Sequence, residues 1–381
     1  MVIVENTNTS KERDSSVVMV SELSRYESLL HEMQFRDKIK SSMYHYAVSF
    51  DFDGFFDESI LNSIFNKILF LSKEIEFSSF RLGASWPENL SDSDVSHLRL
   101  SIQTPLIKRL EFELKKIPVS YSPDVEFLID FRRGLVLIKV YPIFIQGKYC
   151  KYTRDIAQTE YFCNKCRGEG CWYCKNTGHF CKDSVEQLLG KIILPVFSAK
   201  LLVMHGAGRE DMDVLMLGTG RPFVVELLLP TKRFFDLNEL QKEINSSFKG
   251  TVFVNSLKFC KSEDVSVLKD SPHEKVYSAY ATSSAPVDLL KLKISEKLCV
   301  LQSTPTRVEK RRASLDRQKE VVIEKVSKVN DKEFVLTLRT SHGTYVKEFI
   351  SGDNGRTVPS ISSILGVNCS CALLDVVKIC D

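Results

Sequence analysis

The sequence predicts an α+β fold: a mixed, mostly antiparallel sheet carrying helices. Three observations predict it. Segments that alternate with a period of two are common, and hairpin-like neighbours outnumber clean βαβ units. The chain has 381 residues, too many for one ordinary domain, so two or three units are expected. A compact cysteine segment, residues 163 to 181, interrupts the pattern.

Taken in order, residues 1 to about 24 are polar and read as loose. Residues Arg25 to Lys40 can form a helix, which closes a first segment, 1–42. From Tyr44, "YHYAVSFDF" alternates like a strand. "ESILNSIFNKILFL" (58–71) places Ile60, Leu61, Ile64, Phe65 and Ile68 at helical spacing. Strands follow at "EFLIDF" (126–131) and within "GLVLIKVYPIFI" (134–145), with a bend at Pro142, and then a basic aromatic run, "GKYCKYTR". These elements read as a small α+β domain, about 43–160.

The cysteine segment occupies 161–182, and the rest, 183–381, reads as one further domain. Asp183 is expected to cap a helix, with Glu186 placed for a capping box. Val185, Leu188, Leu189, Ile192, Ile193 and Val196 make its apolar face. Next come strands "DVLML" and "PFVVELLL", a helix "LNELQKEI", strands "TVFVNSLKF" and "KVYSAYAT", a helix near 287–297, strands "EVVIEKV" and "EFVLTLRT", and a helix from about Thr344. No internal repeat is visible.

A hydrophobic fraction of 43%, with 24 Phe, suffices for real cores. A net charge of only +3 gives weak grounds for a whole-protein polyanion partner. Local charge says more. Between Arg307 and Lys319 six cations (Arg307, Lys310, Arg311, Arg312, Arg317, Lys319) face only Glu309 and Asp316. Such a patch can neutralise phosphates; it reads equally as a solvated loop. No apolar run of about 18 residues occurs, so no membrane span is expected. The N-terminal stretch "MVIVENTNTSKERDSS" lacks the pattern of a secretory signal. A cytoplasmic or nuclear protein with reduced thiols is therefore expected, and eleven cysteines there point to metal rather than disulfides.

"CNKCRGEGCWYC" supplies Cys163, Cys166, Cys171 and Cys174 as C-x2-C-x4-C-x2-C. Each C-x-x-C turn can offer two thiolates to one ion. Four thiolates satisfy tetrahedral zinc and leave no open position, so the expected site is structural. Gly168 and Gly170 let the linker fold back. The alternatives are free thiols or a redox pair. The run is also similar to one repeat of the cysteine-rich module of DnaJ chaperones, but that module needs several repeats and only one is present.

"GREDMDVLMLGTGRPF" (208–223) places Asp211 and Asp213 behind Gly208-Arg209. It reads either as a surface turn, since Gly and Asp are turn formers, or as a loop holding one carboxylate at the mouth of a sheet.

Taken together, the chain resembles the Pus-ten family of tRNA pseudouridine synthases. The resemblance rests on "YCKYTRDIAQT" (149–159), "CNKCRGEGCWYCKNTGHF" (163–180), "GAGREDMDVLMLGTGRP" (206–222), "KVYSAYA" (275–281), "TPTRVEKRR" (304–312) and "GTYVKEFISGDNGRTVPSISSILG" (343–366). The cysteine segment is most similar to the archaeal type. The family usually has Arg where this chain has Leu215, and Pro where it has Ala157.

The resemblance implies the following. The first domain would be a THUMP-containing RNA-binding domain, and 183–381 a pseudouridine synthase domain. Asp211 would attack ribose C1′, or deprotonate C2′, in a uridine flipped from folded tRNA, with no cofactor. Asp213 would support the loop. Arg209 would position phosphate or fill the place of the departed base. Lys347 would be the basic partner of Asp211 and Tyr277 would pack on the uracil; by composition alone the first reads as an exposed helix lysine and the second as a core aromatic. Phe349 or Ile350 could wall the pocket. Arg307, Lys310, Arg311 and Arg312 would grip the RNA backbone. His179 is a spare metal ligand at most. The substrate would be the TΨC arm of tRNA, at uridine fifty-five and, less securely, fifty-four. Removing residues 1–160 would then cost affinity rather than chemistry. A monomer is expected, with tRNA as partner; a catalytically silent tRNA-binding protein of the same fold is the alternative.

Overall fold

The computed structural model describes residues 18–19, 45–52, 56–160, 162–163, 165–179, 183–311 and 313–380, with backbone only at 18, 19, 310 and 311. The expected helix at Arg25–Lys40 lies outside the described residues. Among those described, no helix is long and apolar enough to cross a membrane.

Two sheets organise the chain. The first has six strands: β1 (Val18–Met19), β2 (Tyr46–Ser49), β3 (Ser79–Ser85), β4 (Ile117–Pro118), β5 (Val125–Asp130) and β6 (Leu135–Val140), in the order β1-β2-β6-β5-β3-β4. Strand β3 runs parallel to β4 and β5, and the other pairs are antiparallel. Helices α1 (Glu58–Ser72), α2 (Asp92–Leu98) and α3 (Thr104–Leu114) accompany it. Helix α1 forms because Asp57 caps it, accepting from Ile60 N at 2.9 Å, and because its apolar stripe of Ile60, Ile64, Phe65 and Ile68 is buried. Phe80, Phe127 and Ile129 meet that stripe from the strands.

The second sheet has ten strands: β7 (Ile143–Lys151), β8 (Leu201–Gly206), β9 (Leu215–Leu228), β10 (Val252–Cys260), β11 (Lys275–Ser283), β12 (Lys297–Ser303), β13 (Asp316–Lys328), β14 (Glu333–Thr340), β15 (Thr357–Val358) and β16 (Cys369–Ile379). Their order is β10-β7-β9-β16-β11-β14-β13-β12-β15, with β8 on β9. All pairs are antiparallel except β9 with β16, which touch at Asp375–Leu215 and Val376–Met216. Helices α4 (Val185–Phe197), α5 (Leu237–Ser247), α6 (Glu263–Asp270), α7 (Val346–Ser351) and α8 (Ile361–Leu365) complete the unit. Leu189, Leu240, Phe349 and Ile361 from four of these helices share one core with strand residues such as Val225 and Leu336.

The expected mixed, mostly antiparallel sheet is thus present, with several local corrections. The boundary of the first domain falls before Ile143, not at 160. The run "GKYCKYTR" belongs to the large sheet, because β7 pairs with β9 and β10. The segments "DVLML" and "PFVVELLL" fuse into the single strand β9. Tyr149 pairs with Arg221 and Lys151 with Met216, so residues 217–220 bulge opposite Cys150. Gly218 and Gly220 make the bulge at φ +67° and +88°; a Cβ at Gly218 would come within 2.1 Å of the Val377 carbonyl oxygen. The cap of α4 is Ser184, which accepts from Gln187 N at 3.1 Å, and not Asp183. Glu186 forms no capping box; it is buried and accepts from Met204 N at 2.9 Å. Near 287–297 only a short 3-10 turn, Leu289–Lys291, forms.

The two units share an apolar seam: Leu201 and Leu228 of the large sheet, with Leu229 just after β9, lie in the core of the small one. Arg233 fastens it, donating to the Tyr141 carbonyl at 2.8 Å and lying 3.3 Å from Asp124. A chain starting at residue 161 loses β7 and with it the buried Tyr149 and Lys151. It is expected to lack the cooperative thermal transition that a chain starting at 142 retains, as followed by circular dichroism. Cooperative folding of the shorter chain would refute the boundary.

Candidate active site

Residues 207–214 join β8 to β9; Ala207, Glu210 and Val214 turn to the interior, and the residues between them face solvent. Glu210 points in and is 6% exposed; Asp211 beside it is exposed. Glu210 accepts from the Tyr149 hydroxyl at 2.7 and 2.9 Å, and Arg221 Nε lies 2.7 Å from it. Arg221 is itself 1% exposed and donates to the Ala207 carbonyl at 2.8 Å. Gln158 donates to the Tyr149 oxygen at 2.8 Å and to the Gly208 carbonyl at 3.0 Å. Burial, with Glu210 close by, pushes the Tyr149 phenol well up. Gly208 stands at φ +80°, and a Cβ there would lie 3.2 Å from an Arg221 nitrogen and 3.5 Å from Lys275 Nζ.

The far side of the loop is clamped by its backbone. Lys151, fully buried, donates to the carbonyls of Met212 (2.8 Å), Ile156 (2.9 Å) and Asp211 (3.3 Å). Arg154 donates to the Asp213 carbonyl at 2.9 Å and the Leu374 carbonyl at 3.1 Å, and ion-pairs with Asp375. A buried ammonium is tolerated only where its donors find acceptors, so Lys151 fixes where the loop can lie.

Around Asp211 the predicted residues converge, with changed pairings. Lys347, in the first turn of α7, lies 3.5 Å from Asp211 but makes its short bonds, 2.8 and 3.0 Å, to Asp213. A helix N-terminus disfavours a cation, and the two carboxylates offset that. Burial tends to raise the Asp213 carboxyl, but Lys347 outweighs it and holds the group below the usual range. Arg307 lies 3.2 Å from Asp211 and donates to the buried Glu348 at 2.6 Å. Its guanidinium therefore meets carboxylates in the structure, where RNA backbone contact was expected. Tyr277 on β11 is partly buried and within electrostatic reach of Arg221, Glu210 and Asp211; its burial pushes the phenol up. It sits in register with Val376, which pairs with Met216, so three strands align it with the start of β9. Arg209 is exposed beside them. Phe349 and Ile350 are both fully buried in the main core. The side chains of Lys310 and Arg311, and all of Arg312, lie outside the described residues.

The residues that the sequence reading did not single out are the anchors: Tyr149, Lys151, Arg154, Gln158, Glu210, Arg221 and Lys275. Their one visible signal was alternation in "YCKYTR", where Tyr149 and Lys151 share a face. Lys275 is 6% exposed; burial, with Arg221 beside it, lowers its ammonium to about 8 against the pull of Glu210.

The four cysteines form a closed cluster whose Sγ atoms all lie within 4.8 Å of one another, with nearest pairs at 3.7 and 3.8 Å. Thiolates about 2.3 Å from a tetrahedral zinc would be about 3.8 Å apart, so the donors fit such an ion. Gly170 N donates to Cys166 Sγ, and Cys171 N and Gly178 N to Cys174 Sγ, each at 3.2 Å. Although burial pushes the Cys174 thiol up, those donors bring it down to about 6. His179 faces Glu160 at 3.2 Å and stands outside the cluster.

The family described as "Pus10, C-terminal" matches residues 144–380. The chain is 39% identical to the tRNA pseudouridine synthase Pus10 of Methanocaldococcus jannaschii, over 86% of this chain and 74% of that one. The chain belongs to the Pus10 family. The namesake from Korarchaeum cryptofilum is 38% identical, over 84% of this chain and 90% of its own. A crystal structure of the archaeal box H/ACA sRNP Nop10-Cbf5 complex aligns at 14% identity and a TM-score of 0.27, over 51% of this chain and 44% of that one, too slight a likeness to argue from. The Pus10 match begins inside β7, the second strand of the large sheet, and the relatives extend it into the small one.

Two outcomes are expected from the anchors. Glu210→Ala strands the buried Arg221 and should cost about 3–5 kcal/mol in urea unfolding; a loss within about 0.5 kcal/mol, the range of surface changes, would refute the anchor. For Lys275 the folded value, about 8, lies below the ordinary 10.5, so the folded protein binds fewer protons between them. Stability should therefore climb as pH rises from 8 to 10, and Lys275→Met should flatten that climb in urea midpoints.

Proposed function

We propose that this chain isomerises uridine to pseudouridine in the TΨC arm of tRNA, with Asp211 as its reacting group. One observation carries the reading: in a chain of this family, the loop offers Asp211 to solvent between Arg307 and Lys347, while its neighbour Glu210 is locked inside. The Asp211 carboxylate attacks C1′, or removes the C2′ proton to give a glycal, and the bond from C1′ to uracil N1 breaks. The freed base turns and C5 bonds to C1′ as the Asp211 ester bond breaks or, on the glycal route, as Asp211 returns the proton to C2′; the C5 proton then leaves and N1 takes one up. Tyr277 packs on the uracil, and its hydroxyl relays that proton to water. Lys347 and Arg307 hold Asp211 in position, and Asp213 shares Lys347. Arg209 meets phosphate at the mouth.

The site is open to water as it stands, and the flipped uridine closes it. Uridine fifty-five is the proposed target. Fifty-four is the more easily lost, because Leu215 and Ala157 depart from the family pattern. The small sheet reads as the THUMP-containing unit that grips a distant part of the tRNA. The protein acts as a monomer, in the cytoplasm or nucleus. The cysteine cluster holds one structural zinc, which when bound ties the two C-x-x-C turns together.

Asp211→Asn should abolish pseudouridine formation while tRNA affinity stays within a few-fold, because an amide keeps the shape and removes the nucleophile or base. Chemical mapping of treated tRNA reads both claims: wild-type turnover by the variant refutes the assignment, and modification confined to the anticodon arm refutes the substrate. Lys347→Met leaves Asp213 unpaired beside Asp211 and should slow the reaction on the order of 10²-fold through misplacement. Unchanged single-turnover rates would remove Lys347 from the site.

Metal analysis of native protein should find one zinc per chain, and chelation should lower its melting temperature. Freely titratable thiols at Cys163, Cys166, Cys171 and Cys174 in untreated protein would reject the metal.

A further inference from the structure

The cysteine knuckle carries a feature that neither a metal site nor the isomerisation uses. Trp172 and Tyr173 stand at its tip, 79% and 47% exposed, with ring centroids 5.8 Å apart and planes at 78°. The Lys165 ammonium lies 4.3 Å from one centroid and 4.2 Å from the other. Arg167 and Lys175 are exposed on the same knuckle, against one exposed acid, Glu169. A tryptophan kept in water gains nothing for folding through its outer face. Here two aromatic faces and three cations share one rigid turn, whose thiolates point inward to one another.

The knuckle also stands close to the reaction. Its base is closed by bridges between Phe162 and His179 and between Ala157 and Ser184. Gln158, five residues before Cys163, bonds the Gly208 carbonyl at 3.0 Å. Five residues span at most about 18 Å, so the knuckle lies within a few nucleotides of a base bound at Asp211.

We infer that Trp172, Tyr173 and Lys165 form a stacking platform for an unpaired nucleotide of the tRNA, next to the one that is modified. Every base offers a π-face, and such platforms combine aromatic stacking with cations on the phosphates. Bases within an A-form duplex have both faces covered, so the platform selects an unpaired nucleotide. A docking protein would meet charged side chains around only two apolar ones, which suits a polyanion better. The inference rests on the tRNA reading above.

The chain has two tryptophans, and the other, Trp86, stacks on Phe131 at 4.9 Å in the small domain. In a Trp86→Phe protein, Trp172 emission should be quenched by tRNA and by a single-stranded oligouridylate, and not by an RNA duplex of equal length. Trp172→Ala should weaken tRNA binding about tenfold, and Trp172→Phe should recover most of it. Unchanged metal content shows that the knuckle still folds; if Trp172→Ala loses it, the quenching result decides. Tight tRNA binding by anisotropy with unmoved Trp172 emission would overturn the platform, leave the tRNA reading intact and turn the patch toward a protein partner. No tRNA binding by the unaltered protein would sink both.

Discussion

The arrangement depends on one buried ion pair, Glu210 with Arg221. Both groups are nearly removed from water, and an uncompensated charge in that position costs several kcal/mol. Glu210 therefore has one tenable place, against Arg221 and under the Tyr149 hydroxyl. With Glu210 held inward and the Asp211 and Met212 carbonyls held by Lys151, the Asp211 side chain is left facing solvent. The exposed acid is oriented by the buried one.

The large sheet supplies the partners at the right height. Arg221 and Tyr149 are cross-strand neighbours on β9 and β7, and the bulge at 217–220 lets Lys151 reach past them to the loop carbonyls. On the other side β9 meets β16 over only two residue pairs, in parallel, and this brings β11 with Tyr277 and Lys275 under the same loop. Helix α7 then delivers Lys347 from the far half of the sheet. Five segments distant in sequence thus converge on one loop, and each is tied to it by a hydrogen bond, an ion pair or strand register.

Much of this was legible in the sequence, for physical reasons. Period-two alternation marked most of the strands, and the helices at Glu58 and Val185 showed their apolar stripes. The cysteine spacing identified a four-thiolate cluster, because ligand geometry is local. The candidate site residues Asp211, Tyr277 and Lys347 came through resemblance. The anchors did not, since Lys151 and Arg154 look like surface cations until pairing shows them turned inward. The boundary before Ile143 was hidden because β6 and β7 are separated by only Tyr141 and Pro142 yet join different sheets. Glu186 matched a capping box by spacing but found a better donor in Met204 N, a contact 18 residues away. Spacing rules see local partners and cannot see those brought by the fold.

The cysteine knuckle leaves and re-enters the large unit at nearly one point, since Ala157 bridges Ser184. As a chain path it is a detour with no net displacement. A detour of that kind can be lengthened, shortened or exchanged at a cost that grows only slowly with its length, while β7, α4 and the loop they hold stay in register. Evolution can therefore vary the surface that the knuckle presents without rewriting the loop that holds Asp211.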